Sequence, residues 1–311
     1  LALHRVDEIR IGVALFTNLS QDHLDFHSTM DDYRETKKRL FTDYLTDNGV
    51  SVLNLDDPTG RRFAQELQGR SITTFAIDRE ADMRVRNMEL LLNGSRFTLE
   101  TRRGDHLPIQ TPLIGRHNAS NILGAAAAAW AGGVSRDAIR QGIENLRAVP
   151  GRLESVPNGV GAQIVVDYCH TPDALEKCLH TLNAIPHKRI LTIFGCGGDR
   201  DRGKRPLMGE IALRFSDKVI VTSDNPRTED PQQIIDEILT GMTQDKNRYA
   251  VIPNRREAIR TGVKELQSYD ILLIAGKGHE TYQILGRQKT PFDDRLITLE
   301  YLKQAGKEAQ T

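Results

Sequence analysis

From residue 150 onward, five short apolar runs at 162–167, 189–194, 218–222, 248–252 and 271–275 alternate with helical patterns at 172–184, 206–215, 231–242, 256–266 and about 295–303. The runs are too short for buried helices and lack the polar alternation of a half-exposed strand, so both of their faces must be covered. Strictly alternating strands and helices predict an α/β fold with a doubly wound, Rossmann-like, mostly parallel sheet. In such a sheet, ligands bind beyond the carboxyl ends of the strands.

The first 149 residues mix element types. A strand at 9–16 runs into a polar loop at 17–27, and 31–44 carries helical periodicity through Tyr33, Leu40, Phe41 and Tyr44. Another strand is expected at 50–54, after which Asp56-Asp57-Pro58 opens a helix with an acidic cap and a proline. Asn93-Gly94 between the runs 84–92 and 96–102 signals a hairpin, and the alanine-rich run 121–131 reads as a buried helix closed by Gly132-Gly133. We expect two domains, 1–149 and 150–311, with no long linker, repeat or low-complexity segment between them.

Lysine and arginine balance aspartate and glutamate at 42 each, which argues against a general binder of nucleic acid or of a membrane surface. No apolar stretch reaches the roughly 20 residues a bilayer requires. Cys169, Cys178 and Cys196 form neither a CxxC pair nor an even set, as expected of a reducing compartment, and the cytoplasm follows. Residue 1 is Leu, and we expect that an upstream part precedes it.

Four strand ends carry unusual loops: Asp167-Tyr-Cys-His170, Gly195-Cys-Gly-Gly-Asp-Arg-Asp201, Ser223-Asp-Asn-Pro-Arg227 and Gly276-Lys-Gly-His-Glu280. The stretch 198–204 fits GxxxxGK, but Arg205 stands where a phosphate loop needs a Ser or Thr hydroxyl, and Pro206 follows. A dinucleotide turn is equally unsuited to the crowding of Asp199, Arg200, Asp201 and Arg202. Arg227, stiffened by Pro226, suits a bidentate grip on a carboxylate, while Glu280 can bind an ammonium; the pair fits a zwitterionic amino acid. The blander alternative is an Arg227–Glu280 surface ion pair.

Asp22, His23, Asp25 and His27 crowd the early loop, a modest metal signal, and Lys37 on the following helix reads by itself as a solvated charge. A thiol nucleophile would need a neighbour in space; His170 next to Cys169 along an extended segment points the opposite way, so the cysteines read as half-buried filler.

Taken together, Thr17-Asn-Leu-Ser-Gln-Asp-His-Leu-Asp25, Gly115-Arg-His-Asn-Ala-Ser-Asn121, Gly151-Arg-Leu-Glu154, Val166-Asp-Tyr-Cys-His-Thr-Pro-Asp-Ala-Leu175, the stretch 194–206, Asp224-Asn-Pro-Arg227 and Gly276-Lys-Gly-His-Glu280 closely resemble the Mur ligases of peptidoglycan synthesis. The resemblance is to the branch that adds meso-2,6-diaminopimelate to UDP-N-acetylmuramoyl-L-alanyl-D-glutamate. It spans nearly the whole chain in the family's order. It implies a partial central ATP-binding domain followed by an amino-acid-binding domain, and an ATP-dependent, magnesium-requiring amide ligase working through an acyl phosphate.

Residue by residue, the resemblance implies that His23 and a carbamylated Lys37 hold magnesium, Lys37 being catalytic together with Arg152. His117, Asn118, Arg152, Asp167 and His170 would contact ATP. Arg200, Asp224, Asn225, Pro226, Arg227, Gly276 and Glu280 would hold diaminopimelate, and Arg5 would reach the nucleotide-sugar peptide. Lysine-adding relatives usually lack the arginine of Asp-Asn-Pro-Arg, so Arg227 favours diaminopimelate over the lysine-adding alternative. A noncatalytic amino-acid-binding module is the rival from another class. The resemblance also implies small-molecule partners only, neither nucleic acid nor membrane, and a monomer. Departures are Leu3 where relatives often have Gln, Cys169 where Ala is common, and the family's phosphate-binding loop, which has no counterpart in these residues; the chain alone is expected to be inactive.

Overall fold

The computed structural model describes residues 1–19, 27–243 and 246–309, which cluster into two compact units. The first comprises Leu1–Glu89, Ser95–Thr111 and Arg116–Leu146; the second comprises Leu90–Gly94, Pro112–Gly115 and Arg147–Thr311.

The first unit carries β1 (Ile11–Phe16), α1 (Met30–Thr42), β2 (Leu45–Asn54), α2 (Pro58–Glu66), β3 (Ser71–Ala76), β4 (Met83–Leu91), β5 (Gly94–Thr101), β6 (His106–Thr111), α3 (Arg116–Ala131) and α4 (Arg136–Asn145). Its sheet runs in order β1-β2-β3-β4-β5-β6, parallel from β1 to β4 and antiparallel between β5 and β6. Phe41 of α1 and Phe63 of α2 pack with Ala14, Phe16, Leu45 and Leu53 on one face. Gly124 of α3 meets Phe75 and Leu15 on the other.

Local chemistry sets the helix starts. Thr29 caps α1 by accepting the Asp32 amide, and Asp57 caps α2 by accepting the amides of Thr59 and Gly60, with Pro58 in the first turn. The expected strand at 50–54 begins earlier, at Leu45. The register slips between Ile11 and Val13, so a bulge absorbs the polar residues ahead of Val50.

The second unit carries β7 (Glu154–Ser155), β8 (Gln163–Asp167), α5 (Pro172–Asn183), β9 (Ile190–Phe194), α6 (Lys204–Phe215), β10 (Lys218–Val221), α7 (Pro231–Leu239), β11 (Tyr249–Val251), α8 (Arg255–Glu265), β12 (Ile271–Ala275), β13 (Tyr282–Leu285), β14 (Gln288–Pro291) and α9 (Asp294–Gln304). The sheet order is β11-β10-β9-β12-β8-β7, with β11 through β8 parallel and β7 antiparallel at the edge. Alternate strand residues go to opposite faces. Val165, Phe194, Val221 and Leu273 pack under α5, α6 and α7, whereas Ile164, Val166, Ile193, Ile220 and Ile274 pack under α8 and α9. This is the doubly wound sheet that the unbroken apolar runs predict.

The insertion of β12 between β8 and β9 is what positions the site. Chain order proceeds from β9 outward to β11 and then returns inward to β12, so the loop after β12 leaves toward one face while those after β8 and β9 leave toward the other. A crevice at the strands' carboxyl ends results.

Candidate functional site

The crevice is a cavity of about 340 Å³ lined by residues from all four rim loops, among them His170, Gly195, Gly197, Arg200, Asp224, Asn225, Arg227, Gly276 and Glu280. Arg200, Lys204 and Arg227 bring positive charge to it, and Asp201, Asp224 and Glu280 bring negative charge. Such a mixed lining suits a zwitterion better than a polyanion.

Arg227 takes a left-handed backbone, φ 52°, directly after Pro226. Its amide donates to Ile284 O at 3.1 Å, and its Nη1 donates to Gly198 O at 2.7 Å. The guanidinium is therefore held by backbone at one nitrogen and lines the cavity. The Arg227–Glu280 ion pair does not form. Glu280 Oε2 accepts instead from Lys277 Nζ at 3.2 Å and from Asn225 Nδ2 at 2.8 Å. Lys277 has no accessible surface, and it also donates to Asn225 Oδ1 at 3.0 Å. Sequence reasoning missed it, because nothing local separates a buried lysine from a solvated one.

Asp224 Oδ1 accepts the Asn225 amide at 2.6 Å, whereas Oδ2 is buried without a hydrogen-bond partner. A buried carboxylate oxygen in that state is costly unless a donor arrives, so it has the capacity to accept one. A Cβ on Gly276, whose φ is 115°, would lie 2.7 Å from this oxygen. Glycine keeps the approach open.

The glycines of Gly195-Cys-Gly-Gly serve packing between loops. An added Cβ would lie 2.2 Å from Thr222 O at Gly195 and 1.9 Å from Pro226 O at Gly198. Arg205, the residue that spoils the phosphate-loop pattern, is wholly buried, and its Nη2 and Nη1 donate at 2.9 and 2.7 Å to Glu229 and Glu237. The hydrogen bond from Arg205 holds the Glu229 carboxyl down at about 2. Glu229 also accepts the Asp199 amide, so this partly buried pair anchors the loop that carries Arg200.

Asp167 uses both oxygens on backbone, accepting Leu153 N at 2.7 Å and Cys169 N at 2.8 Å. His170 is exposed and lines the cavity, its Nδ1 2.8 Å from Tyr168 O. The Arg152 guanidinium lies 5.5 Å from the centroid of the Tyr168 ring. Cys169, Cys178 and Cys196 are fully rather than half buried. Burial pushes the Cys196 thiol up to about 12, and the hydrogen bond with Cys178 together with burial raises Cys169. None has the accessible, acidic thiol a nucleophile needs.

In the first unit, Lys37 is half-buried on α1 with Nζ 4.9 Å from the Tyr33 ring, which stacks on His27. His117 and Asn118 lie in the first turn of α3, and Arg5 is exposed. His23, with Asp22 and Asp25, lies outside the described residues. Among the described residues the one group of three metal-ligating side chains is Asp167, Cys169 and Cys178. No helix among them is long and apolar enough to cross a membrane.

Residues 1–129 match the Mur ligase middle domain and residues 151–278 match the Mur ligase glutamate ligase domain. The chain is 47% identical over 315 residues to the UDP-N-acetylmuramoyl-L-alanyl-D-glutamate--2,6-diaminopimelate ligase of Geobacter metallireducens, covering 95% of this chain and 61% of that one. It is 45% identical to the ligase of the same name from Syntrophomonas wolfei, covering 97% and 62%. A solved structure of a protein with that name superposes with a TM-score of 0.76 at 37% identity, covering 97% of this chain and 62% of the other. The chain thus spans about three fifths of the length of these relatives. With both domain matches in the family's order and the rim loops assembled into one crevice, the chain belongs to the Mur ligase family.

Proposed function

We propose that the crevice of the second unit holds meso-2,6-diaminopimelate, and that the chain serves an ATP-dependent ligase joining it to UDP-N-acetylmuramoyl-L-alanyl-D-glutamate in peptidoglycan synthesis. The observation that carries this reading is the arrangement of Arg227 with Asp224 and Glu280 around one cavity of about 340 Å³. Diaminopimelate has a carboxylate and an ammonium at each end; Arg227, assisted by Arg200, takes the far carboxylate, while Glu280 and the unpartnered Asp224 Oδ2 take an ammonium.

In the ligation, the D-glutamate carboxylate accepts the γ-phosphoryl group of ATP to give an acyl phosphate. The neutral amine of diaminopimelate attacks the acyl carbon and phosphate leaves. The chain's share is to bind and orient. In this reading Arg152 faces the phosphates, His117, Asn118, Asp167 and His170 contact the nucleotide, and Arg5 reaches the peptide substrate. Magnesium would neutralise phosphate charge. Among the described residues the one cluster of three potential ligands is two thiols with a carboxylate already engaged by amides, a poor match to a hard cation. By the family resemblance, Lys37 as a carbamate and His23 would hold the magnesium. We place the ligase in the cytoplasm, in keeping with ATP as substrate and three unbridged cysteines, and read it as a monomer on the family resemblance.

Isothermal titration of the chain with meso-diaminopimelate and with L-lysine tests the reading. Binding of diaminopimelate about 100-fold tighter than lysine is expected, since lysine leaves Arg227 without its carboxylate. Equal affinities, or no diaminopimelate binding, would overturn it.

A further inference from the structure

Lys277 is an anomaly of the site: a lysine with no accessible surface, in a loop whose Gly276 and Glu280 line an open cavity. Burying an ammonium is costly unless its charge and hydrogens are matched. Its Nζ meets Asn225 Oδ1 at 3.0 Å and Glu280 Oε2 at 3.2 Å, and lies 5.6 Å from the Tyr282 ring centroid. These partners are side chains of the cavity wall or its border. The loop's backbone is fastened separately, by Gly276 N to Asp167 O and Glu280 N to Lys277 O, both at 3.0 Å.

We infer that Lys277 is a positioning residue whose buried ammonium seats the Glu280 carboxylate and orients the Asn225 carboxamide, and so sets the site's preference for a ligand that presents an ammonium group. The inference rests on reading the cavity as the amino-acid site.

Each contact has a distinct consequence. With Lys277 and the Ile284 amide both donating to Asn225 Oδ1, the amide nitrogen must face Glu280, as it does at 2.8 Å. The Ile284 amide holds the same oxygen at 2.9 Å, so Asn225 keeps part of its orientation without the lysine. Glu280 does not. Arg255, which also feels the Glu280 charge, is wholly buried and committed to Asp294 at 2.6 Å, so it does not replace the lysine. Without the ammonium, a carboxylate only 14% exposed loses its direct charge partner and is left with the neutral Asn225 amide as donor, a weaker seat from which it can turn away from the ligand.

The test is calorimetric titration of the chain with meso-diaminopimelate. Lys277→Met, which keeps the bulk and removes the charge, is expected to weaken binding about 30-fold or more. In a Glu280→Gln background the same substitution is expected to add less than about threefold, because the lysine acts through that carboxylate. A purely structural lysine would instead give independent losses in both backgrounds. Should Lys277→Met fail to fold, Lys277→Gln serves, with the same outcomes. Binding by the lysine variant within about threefold of the unaltered chain, or additive losses, overturns the inference. If Arg227→Ala weakens binding while Lys277→Met does not, the inference fails and the reading of the cavity stands. If the unaltered chain binds no diaminopimelate, both fail.

Discussion

Gly198 lies so close to the carbonyl of Pro226 that a Cβ on it would stand 1.9 Å from the oxygen. Its amide donates to Asn225 O at 2.9 Å, and its carbonyl accepts from Arg227 Nη1 at 2.7 Å. The loop after β9 and the loop after β10 are thus joined backbone to backbone, and the guanidinium of Arg227 is fixed in the same stroke. Gly198→Ala cannot be absorbed by a flexible side chain, because the obstacle is backbone. We expect it to lower stability by about 2 kcal/mol or more in urea titrations and to weaken diaminopimelate binding with it. A variant of unchanged stability would show that the two loops are not rigidly apposed.

Arg227 itself separates charge from geometry. Arg227→Lys keeps a cation but loses the planar fork, and lysine cannot donate to Gly198 O and grip a carboxylate with two parallel bonds. Diaminopimelate affinity is expected to fall about 100-fold or more in Arg227→Ala and to recover little in Arg227→Lys. Near-complete recovery in the lysine variant would show that a point charge suffices.

The parallel strands of the second unit were legible because both faces are buried, which leaves uninterrupted apolar runs such as Ile271–Ala275. The strand Ser71–Ala76 was not, since Ser71-Ile-Thr-Thr lacks the apolar run and its outer residues are only half-buried. Helix Arg136–Asn145, capped by Ser135, buries only Ile139, so its periodicity is faint. In the site, the rim position announced Arg227 and Glu280, and the topology brought them to one cavity. Their hydrogen bonding was not readable. Glu280 is matched by Lys277, which is buried only because the loop after β12 folds beneath Asn225 with Gly276 and Gly278 at positive φ.

Glu229 gives a pH-dependent test. Its carboxyl is held at about 2, below the ordinary 4.5, first by the hydrogen bond from Arg205 and also by the Asp199 amide. A folded-state value depressed in this way contributes stability that is full above the unfolded value and is lost as pH falls through the interval from about 4.5 to about 2. The stability difference between the natural chain and Glu229→Gln, measured by urea unfolding, is expected to be largest above pH 5 and to shrink steadily toward about pH 2. A difference that does not change over this range would remove the Arg205–Glu229 pair as its source.

Lys37 poses the sharpest choice. Its ammonium sits 4.9 Å from the Tyr33 ring, an arrangement that favours a cation. Carbamylation would instead require the neutral amine to take up CO₂, turning a positive group into an oxygen donor able to hold a hard metal. The two states are distinguishable without any turnover. In bicarbonate enriched in ¹³C, with magnesium and a nucleotide present, the carbamate reading predicts a ¹³C carbamate resonance that vanishes in Lys37→Arg, since arginine retains the charge but forms no such adduct. A resonance that persists in Lys37→Arg comes from another amine, and the absence of any resonance in the natural chain leaves Lys37 a simple cation over Tyr33. Under the carbamate reading, Lys37→Ala should also lose magnesium-dependent nucleotide binding, with short carboxylates such as acetate restoring part of it by supplying the missing oxygens.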